Sequence, residues 1–255
     1  MEPHQKITAA LVADSDNGQV ALVPYITAGF PDKDAFIDTL RKVAGVAAVV
    51  EVGVPFSDPM ADGVTIQRAS HEAIANGVSL HWILQELTGA GDLGTPIVLM
   101  SYLNPLLAYG FEKLVRDCIP AGVCGFIVPD LPLEESDEFR EVMGTQGIAL
   151  IQLVSPATPD ERMGRLCAAS RGFVYAVTIK GVTGGAKALP PEVPAYLDQV
   201  KSHTDLPVCA GFGVRRAEQV KDLGAHADGV VVGSALVEQL EAGNDPEKFL
   251  RSLRG

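Results

Sequence analysis

The sequence predicts an α/β protein folded as a closed (β/α)8 barrel, and three observations predict it. Eight short apolar runs recur along the 255 residues, each followed by a loop of Gly, Pro and polar residues and then a stretch of helical periodicity. The runs are rich in Val and Ile, as strands of a parallel sheet buried on both faces require. No run is followed by a Gly-x-Gly-x-x-Gly opening a helix, the mark of the doubly wound open sheet that is the runner-up. Alternation carried through eight units points to a barrel. With no linker, low-complexity tract or charge block, residues 1–255 read as a single domain.

Taken in order, an extra helix over residues 5–13 precedes the first strand, 20–26. Residues 33–43 form the next helix, with Phe36, Ile37, Leu40 and Val43 on one face. Strand two, 47–53, is apolar and β-branched except for Glu51. A Pro- and Gly-rich loop then leads into a helix over 65–75. A second extra helix, 80–87, comes before strand three, 97–101. The remaining units pair helix 112–118 with strand 124–128, helix 134–143 with strand 149–154, and helix 159–169 with strand 172–177. Helix 195–201 leads to strand 207–211, and helix 217–223 to strand 228–233. Gly233-Ser234 opens a helix over 235–241, and a last helix covers 245–253.

Composition narrows the function classes. Hydrophobic residues make up 47% of the chain and charged ones 20%, with a formal charge of −12 and no basic stripe. That balance argues against nucleic acid or an anionic membrane as partner. A phosphorylated small molecule stays open, because backbone amides hold phosphate without any lysine. The four cysteines are scattered with no C-x-x-C pair, and read as structural thiols in a reducing compartment. The N-terminal residues lack a signal-peptide layout and no apolar run reaches membrane-spanning length, so the expected location is cytoplasmic.

Glu51 is the residue that demands a reason. A carboxylate inside a buried strand carries a large desolvation cost. The same burial raises its pKa, which lets a Glu both give and take protons near neutrality. Its bland alternative is a partner for a buried cation, yet the strand interiors offer none. Asp62 follows in the loop after strand two. Asp-Gly before a helix is also an ordinary turn or cap, so Asp62 gains weight only beside Glu51. In a barrel both would stand at the catalytic mouth.

Glycines converge on the last three loops: Gly184 and Gly185 after strand six, Gly211 and Gly213 at strand seven, and Gly233 with Ser234 at strand eight. Single glycines serve tight turns, but three groups at one rim form the phosphate cradle usual to this fold. None of the five histidines falls at a strand end, so neither a His-based nucleophile nor a metal cluster is supported. No lysine sits inside a strand; Lys180, the nearest, lies in a loop. Tyr25, Met100, Ile127, Leu153, Tyr175 and Phe212 lie at or near strand ends and would floor a pocket for a flat aromatic ligand. Acid–base chemistry on a phosphorylated ligand remains.

The run Glu51-Val52-Gly53-Val54-Pro55-Phe56-Ser57-Asp58-Pro59-Met60-Ala61-Asp62-Gly63, followed by Thr65-Ile66-Gln67, resembles the signature of the tryptophan synthase α subunit family. Pro24-Tyr25-Ile26-Thr27-Ala28-Gly29, Tyr102-Leu103-Asn104-Pro105, Gly181-Val182-Thr183-Gly184 and Gly211-Phe212-Gly213-Val214 match in the same order, so the resemblance spans the chain. It implies a (β/α)8 barrel that cleaves indole-3-glycerol phosphate to indole and glyceraldehyde 3-phosphate without a cofactor of its own. It further implies Glu51 as general acid/base, Asp62 as acceptor for the indole N–H, and Tyr175 beside Glu51. Thr183 would close as a lid toward Asp62, and Gly184, Gly213, Gly233 and Ser234 would hold the phosphate. The implied partner is a pyridoxal-phosphate β subunit, in an α2β2 assembly, docked on Pro55, Asp58, Asn104 and Pro105. Two departures stand out: Val64 where the family commonly has Pro, and Ile179-Lys180 where an Arg is frequent. The competing readings are another phosphate-binding barrel, such as a phosphosugar isomerase or a thiamine-phosphate-type synthase, and a non-catalytic activating subunit.

Overall fold

In the computed structural model eight parallel strands close into a barrel in sequence order. The structure describes residues 1–177, 190–211 and 213–254. The strands are β1 (Ala21–Thr27), β2 (Val50–Gly53), β3 (Ile97–Met100), β4 (Val123–Ile127), β5 (Ala149–Val154), β6 (Val174–Val177), β7 (Val208–Gly211) and β8 (Gly229–Val232). Closure comes from β8 pairing back onto β1, with Leu22 opposite Val230 and Pro24 opposite Val232, which rules out the open sheet. Every residue of β1, β2, β4 and β8 is buried, as unalternated Val/Ile strands covered on both sides must be.

Twelve α-helices lie among the described residues: α1 (Pro3–Asp16), α2 (Phe36–Ala44), α3 (Val64–Ala75), α4 (Leu80–Ala90), α5 (Leu103–Tyr109), α6 (Phe111–Cys118), α7 (Asp137–Gly144), α8 (Asp160–Ala169), α9 (Glu192–Ser202), α10 (Ala217–Gly224), α11 (Ser234–Glu241) and α12 (Pro246–Arg254). Their apolar stripes follow helical spacing. In α2, Phe36, Leu40 and Val43 are buried, and in α6, Leu114, Val115 and Cys118, against the outer face of the sheet. Ser79 caps α4, its Oγ accepting from the Trp82 N–H at 3.2 Å.

Several boundaries depart from the sequence reading by two or three residues, and three departures are instructive. Strand two starts at Val50 rather than 47, although Ala48 and Val49 are buried; apolarity reports burial and not strand pairing. The helix expected over 134–143 is a 3-10 turn, Leu133–Glu135, and then α7. A further helix, α5, occupies a stretch read as loop. Its Pro105 is the third helical residue, where a missing N–H forfeits no intrahelical bond. Val64, the departure from Pro, starts α3 directly after Gly63, so the helix begins there without a proline.

Side chains alternate along the strands between two interiors. Val50 and Val52 face the helices, whereas Val49 packs inside the barrel with Ala21, Val23, Val98, Cys124, Ala149, Ile151, Phe173 and Cys209. Helix α1 lies across the N-terminal end of the strands, and Ile7 and Leu11, one turn apart and fully buried, join that inner cluster. Their burial contributes roughly 3–6 kcal/mol before ordering entropy is counted. Arg254 fastens α12 to the end of α1, donating to Asp14 at 2.9 Å and Gln19 at 2.6 Å. The C-terminal ends of the strands open at the opposite side, and the side chains that line them share the inward face with the inner cluster.

Candidate active site

Glu51 shares the inward face of β2 with Val49 and Gly53. It stands level with Tyr25 on β1 and Val98 on β3, near the C-terminal end of the strand. Only 3% of it is exposed. Its Oε2 is fully buried with no hydrogen-bond partner among the described residues, a condition that costs several kcal/mol for an ionised carboxylate. The carboxyl answers by holding its proton: burial first, and then the nearby charge of Asp62, push its pKa up to about 8.

Asp62 stands in the loop between β2 and α3. It is partly buried, and desolvation raises its pKa to about 6, against the opposing hydrogen bond from the Tyr102 hydroxyl. The two acids therefore separate. Near neutrality Glu51 keeps a proton and Asp62 is ionised, which is the division of labour two carboxyls need to act as donor and as fixed negative charge. The loop that carries Asp62 is fastened at several points. Gln67 of α3 donates to the Asp62 carbonyl at 2.9 Å, and the His71 ring nitrogen Nε2 meets the Ser57 carbonyl at 3.1 Å.

Two phenols complete the cleft. Tyr25 extends across β2, where a Cβ at position 53 would fall 2.1 Å from its hydroxyl; Tyr175 extends across β7, where a Cβ at 211 would fall 2.5 Å from its ring. Glycine at 53 and 211 is thus a matter of room. The Tyr25 hydroxyl pairs with Thr27 Oγ1 at 3.3 Å. Burial raises both phenols, helped chiefly by the Asp62 charge at Tyr25 and by Glu51 at Tyr175, so both stay protonated in working conditions. Met100, Ile127 and Leu153 sit on the same inner face with Tyr175. Ile66 and Met100 pack against Tyr25.

Of the residues singled out from sequence, Glu51, Asp62, Tyr25, Tyr175, Met100, Ile127 and Leu153 therefore come to one end of the barrel. Gly213 has a positive φ of 62°, a conformation that favours glycine. A Cβ at Gly233 would meet nothing nearer than 3.9 Å, leaving open space beside the first turn of α11, which Ser234 begins. Thr183, Gly184, Gly185, Lys180 and Phe212 lie outside the described residues. Tyr102, bonded to Asp62, is a site residue that reading by residue type missed. Its place just beyond the end of β3 was the available signal.

The desolvation of Glu51 has a stability consequence with a definite sign. Its carboxyl titrates near 4.5 ordinarily and at about 8 in the folded chain. Between those values the native state holds a proton that the unfolded chain has released, so native stability falls as pH rises. Glu51→Gln removes that slope. The variant's margin over the native chain in urea unfolding is expected to widen by about 2–4 kcal/mol from about pH 5 to about pH 9. A margin flat with pH would show that the carboxyl is solvated.

Two acids of different proton affinity, sharing a dry cleft at the strand ends, equip this barrel as an acid–base enzyme for a small ligand. The tryptophan synthase alpha chain family matches residues 11–254. The chain belongs to that family. Relatives named tryptophan synthase alpha chain include one from Roseiflexus castenholzii, 43% identical over 93% of this chain and 95% of its own length. Another, from Bacillus cereus, is 47% identical over 93% of this chain and 91% of its own. Among solved structures, tryptophan synthase from M. tuberculosis in an aminoacrylate-bound form aligns with a TM-score of 0.88 at 33% identity, over 98% of each chain. The tryptophan synthase complex from Pyrococcus furiosus aligns at 0.83 and 35%, over 92% of this chain and 98% of that one.

Proposed function

We propose that this chain is the α component of a tryptophan synthase, a carbon–carbon lyase that cleaves indole-3-glycerol phosphate to indole and glyceraldehyde 3-phosphate. The observation that carries the reading is the split between Glu51 and Asp62. Protonated Glu51 delivers its proton to the ring carbon that bears the glycerol chain. Positive charge then develops on the ring nitrogen, whose N–H faces ionised Asp62. Glu51, now a carboxylate, takes the proton of the hydroxyl on the adjoining carbon. The C–C bond breaks, its electrons restore the indole, and the hydroxyl oxygen becomes the aldehyde. Glu51 ends as it began. Tyr175 stands near Glu51 and the reacting carbons, while Tyr25, Met100, Ile127 and Leu153 receive the flat ring.

The phosphate is assigned to Gly184, Gly213, Gly233 and Ser234, with Thr183 and Phe212 completing the ligand contacts. The positive φ at Gly213 and the open space at Gly233, beside the α11 N-terminus, support this. The chemistry asks for no cofactor in this chain; pyridoxal phosphate is assigned to the β subunit. That partner, in an α2β2 assembly, would cover the loops after β2 and β3. Met60 and Leu107, 84% and 53% exposed, place apolar surface there beside Pro55, Asp58, Asn104 and Pro105. We read residues 1–255 as one domain. A cytoplasmic location fits four free, buried cysteines. No helix among the described residues is long and apolar enough to cross a membrane.

The experiment is to follow indole release from indole-3-glycerol phosphate with and without the β subunit. Slow release alone and faster release in the complex are expected. A flat trace even with the β subunit present would return the chain to the other phosphate-binding barrels.

A further inference from the structure

Tyr102 follows β3 by two residues and is the residue just before α5, with φ −73° and ψ 160°. Its side chain does not run into solvent, since only 2% of the residue is exposed. The ring stacks on Phe56 at 5.0 Å between centroids and 27° between planes. Its hydroxyl oxygen accepts the Ala61 N–H at 2.8 Å, which sets the phenol beside the neighbouring Asp62 carboxyl, and each group shifts the titration of the other. A phenol has one proton to give. With the Ala61 N–H arriving as donor, that proton is free to turn toward the Asp62 carboxylate.

Tyr102 is itself anchored. Ser101 Oγ donates to the Tyr102 carbonyl at 2.9 Å, and the next amide, Leu103 N–H, donates to Asp130 Oδ1 at 2.9 Å. Asp130 lies in the loop after β4. The loops after β2, β3 and β4 are thus linked in series through Tyr102 and Leu103, and the link ends beside Asp62. Gln67 holds the main chain of Asp62, and Tyr102 holds that of Ala61 just before it.

We infer that Tyr102 is a positioning residue for the reaction: it anchors one side of the Asp62 carboxylate and so presents the remaining acceptor capacity to the ligand's ring N–H. The inference rests on the lyase reading above. A bond from a neutral hydroxyl to a carboxylate is stronger than one between neutral groups and favours the ionised acid. Among the described residues, the other titratable groups that face Asp62 are Glu51 from β2, Tyr25 from β1 and Tyr175 from β6. None of these is a cation, so among the described residues the Tyr102 hydroxyl is the group that favours the ionised state of Asp62.

The test is Tyr102→Phe, alone and combined with Asp62→Asn, assayed with the β subunit on indole-3-glycerol phosphate. Phenylalanine keeps the ring on Phe56 and removes only the hydroxyl. The single variant is expected to lose about 10- to 100-fold in kcat, the worth of a hydrogen bond to a charged group. The acid limb of its pH profile should move to higher pH, because Asp62 loses the bond that favours its charged form. In the Asp62→Asn background the same change should cost less than about 3-fold, since residues acting through one group are not additive. An unmoved acid limb, or an equal loss in both backgrounds, would overturn the positioning role and leave Tyr102 a loop-packing residue. Comparing backgrounds also protects against a folding defect, which would appear equally in both. Failure of the native chain to release indole would instead sink the lyase reading itself.

Discussion

Glu51→Gln is expected to lower kcat for indole release by about 10²- to 10⁴-fold, the range that a positioned general acid–base group supplies. KM should change by no more than about 3-fold, because an amide fills the same space and forfeits only the mobile proton. Among the described residues the cleft offers no ready substitute. Tyr175 and Tyr25 are protic groups beside it, and burial near two acids makes both hold their protons too tightly to serve as bases. The loss should also flatten the pH dependence near about 8, where Glu51 titrates in the ligand-free chain. Steady-state indole release with the β subunit present is the measurement. A variant within about 3-fold of native kcat would remove Glu51 from the chemistry.

Asp62→Asn tests the second acid by a different logic. Asparagine still offers a carbonyl oxygen to the ring N–H, so binding geometry largely survives while the negative charge is lost. Preorganised charge beside a developing cation acts in the transition state rather than the ground state, and its removal is expected to cost about 10²- to 10³-fold in kcat. The acid limb assigned to Asp62, which titrates at about 6, should disappear from the profile of the variant. Native kcat with an intact acid limb would show that another group stabilises the ring charge. The two losses should not sum in the double variant, because both residues serve one proton transfer and its charge.

The barrel was legible in the sequence because its signal is periodic. Val/Ile runs at regular spacing announce strands, and the two-residue repeat within β2 places Glu51 with Val49 and Gly53 on the inner face. Apolarity overran strand two at its start, since Ala48 and Val49 are as buried as the residues that pair. Helix α5 was hidden by Asn104-Pro105, which reads as a loop until the chain is seen to place that proline in the first helical turn. Tyr102 had a different obstacle. Its hydroxyl meets Ala61 and Asp62 across some forty residues of chain, and no sequence period encodes a bond between two loops. Glu51 and Asp62 stood out by contrast, one as a charge among valines and the other by its place in a long signature. Glycines 53 and 211 were visible, but their reason was not: each gives room to a tyrosine from the strand alongside.

Helix α1 is more than a support for stability. By wedging Ile7 and Leu11 against the side chains that already fill the interior, it gives the barrel the form of a cup with a stopper. Anything made at the brim has no exit through the bottom and must leave by the side on which it came in. A partner seated over that brim would receive the small apolar product directly, before it could escape into water.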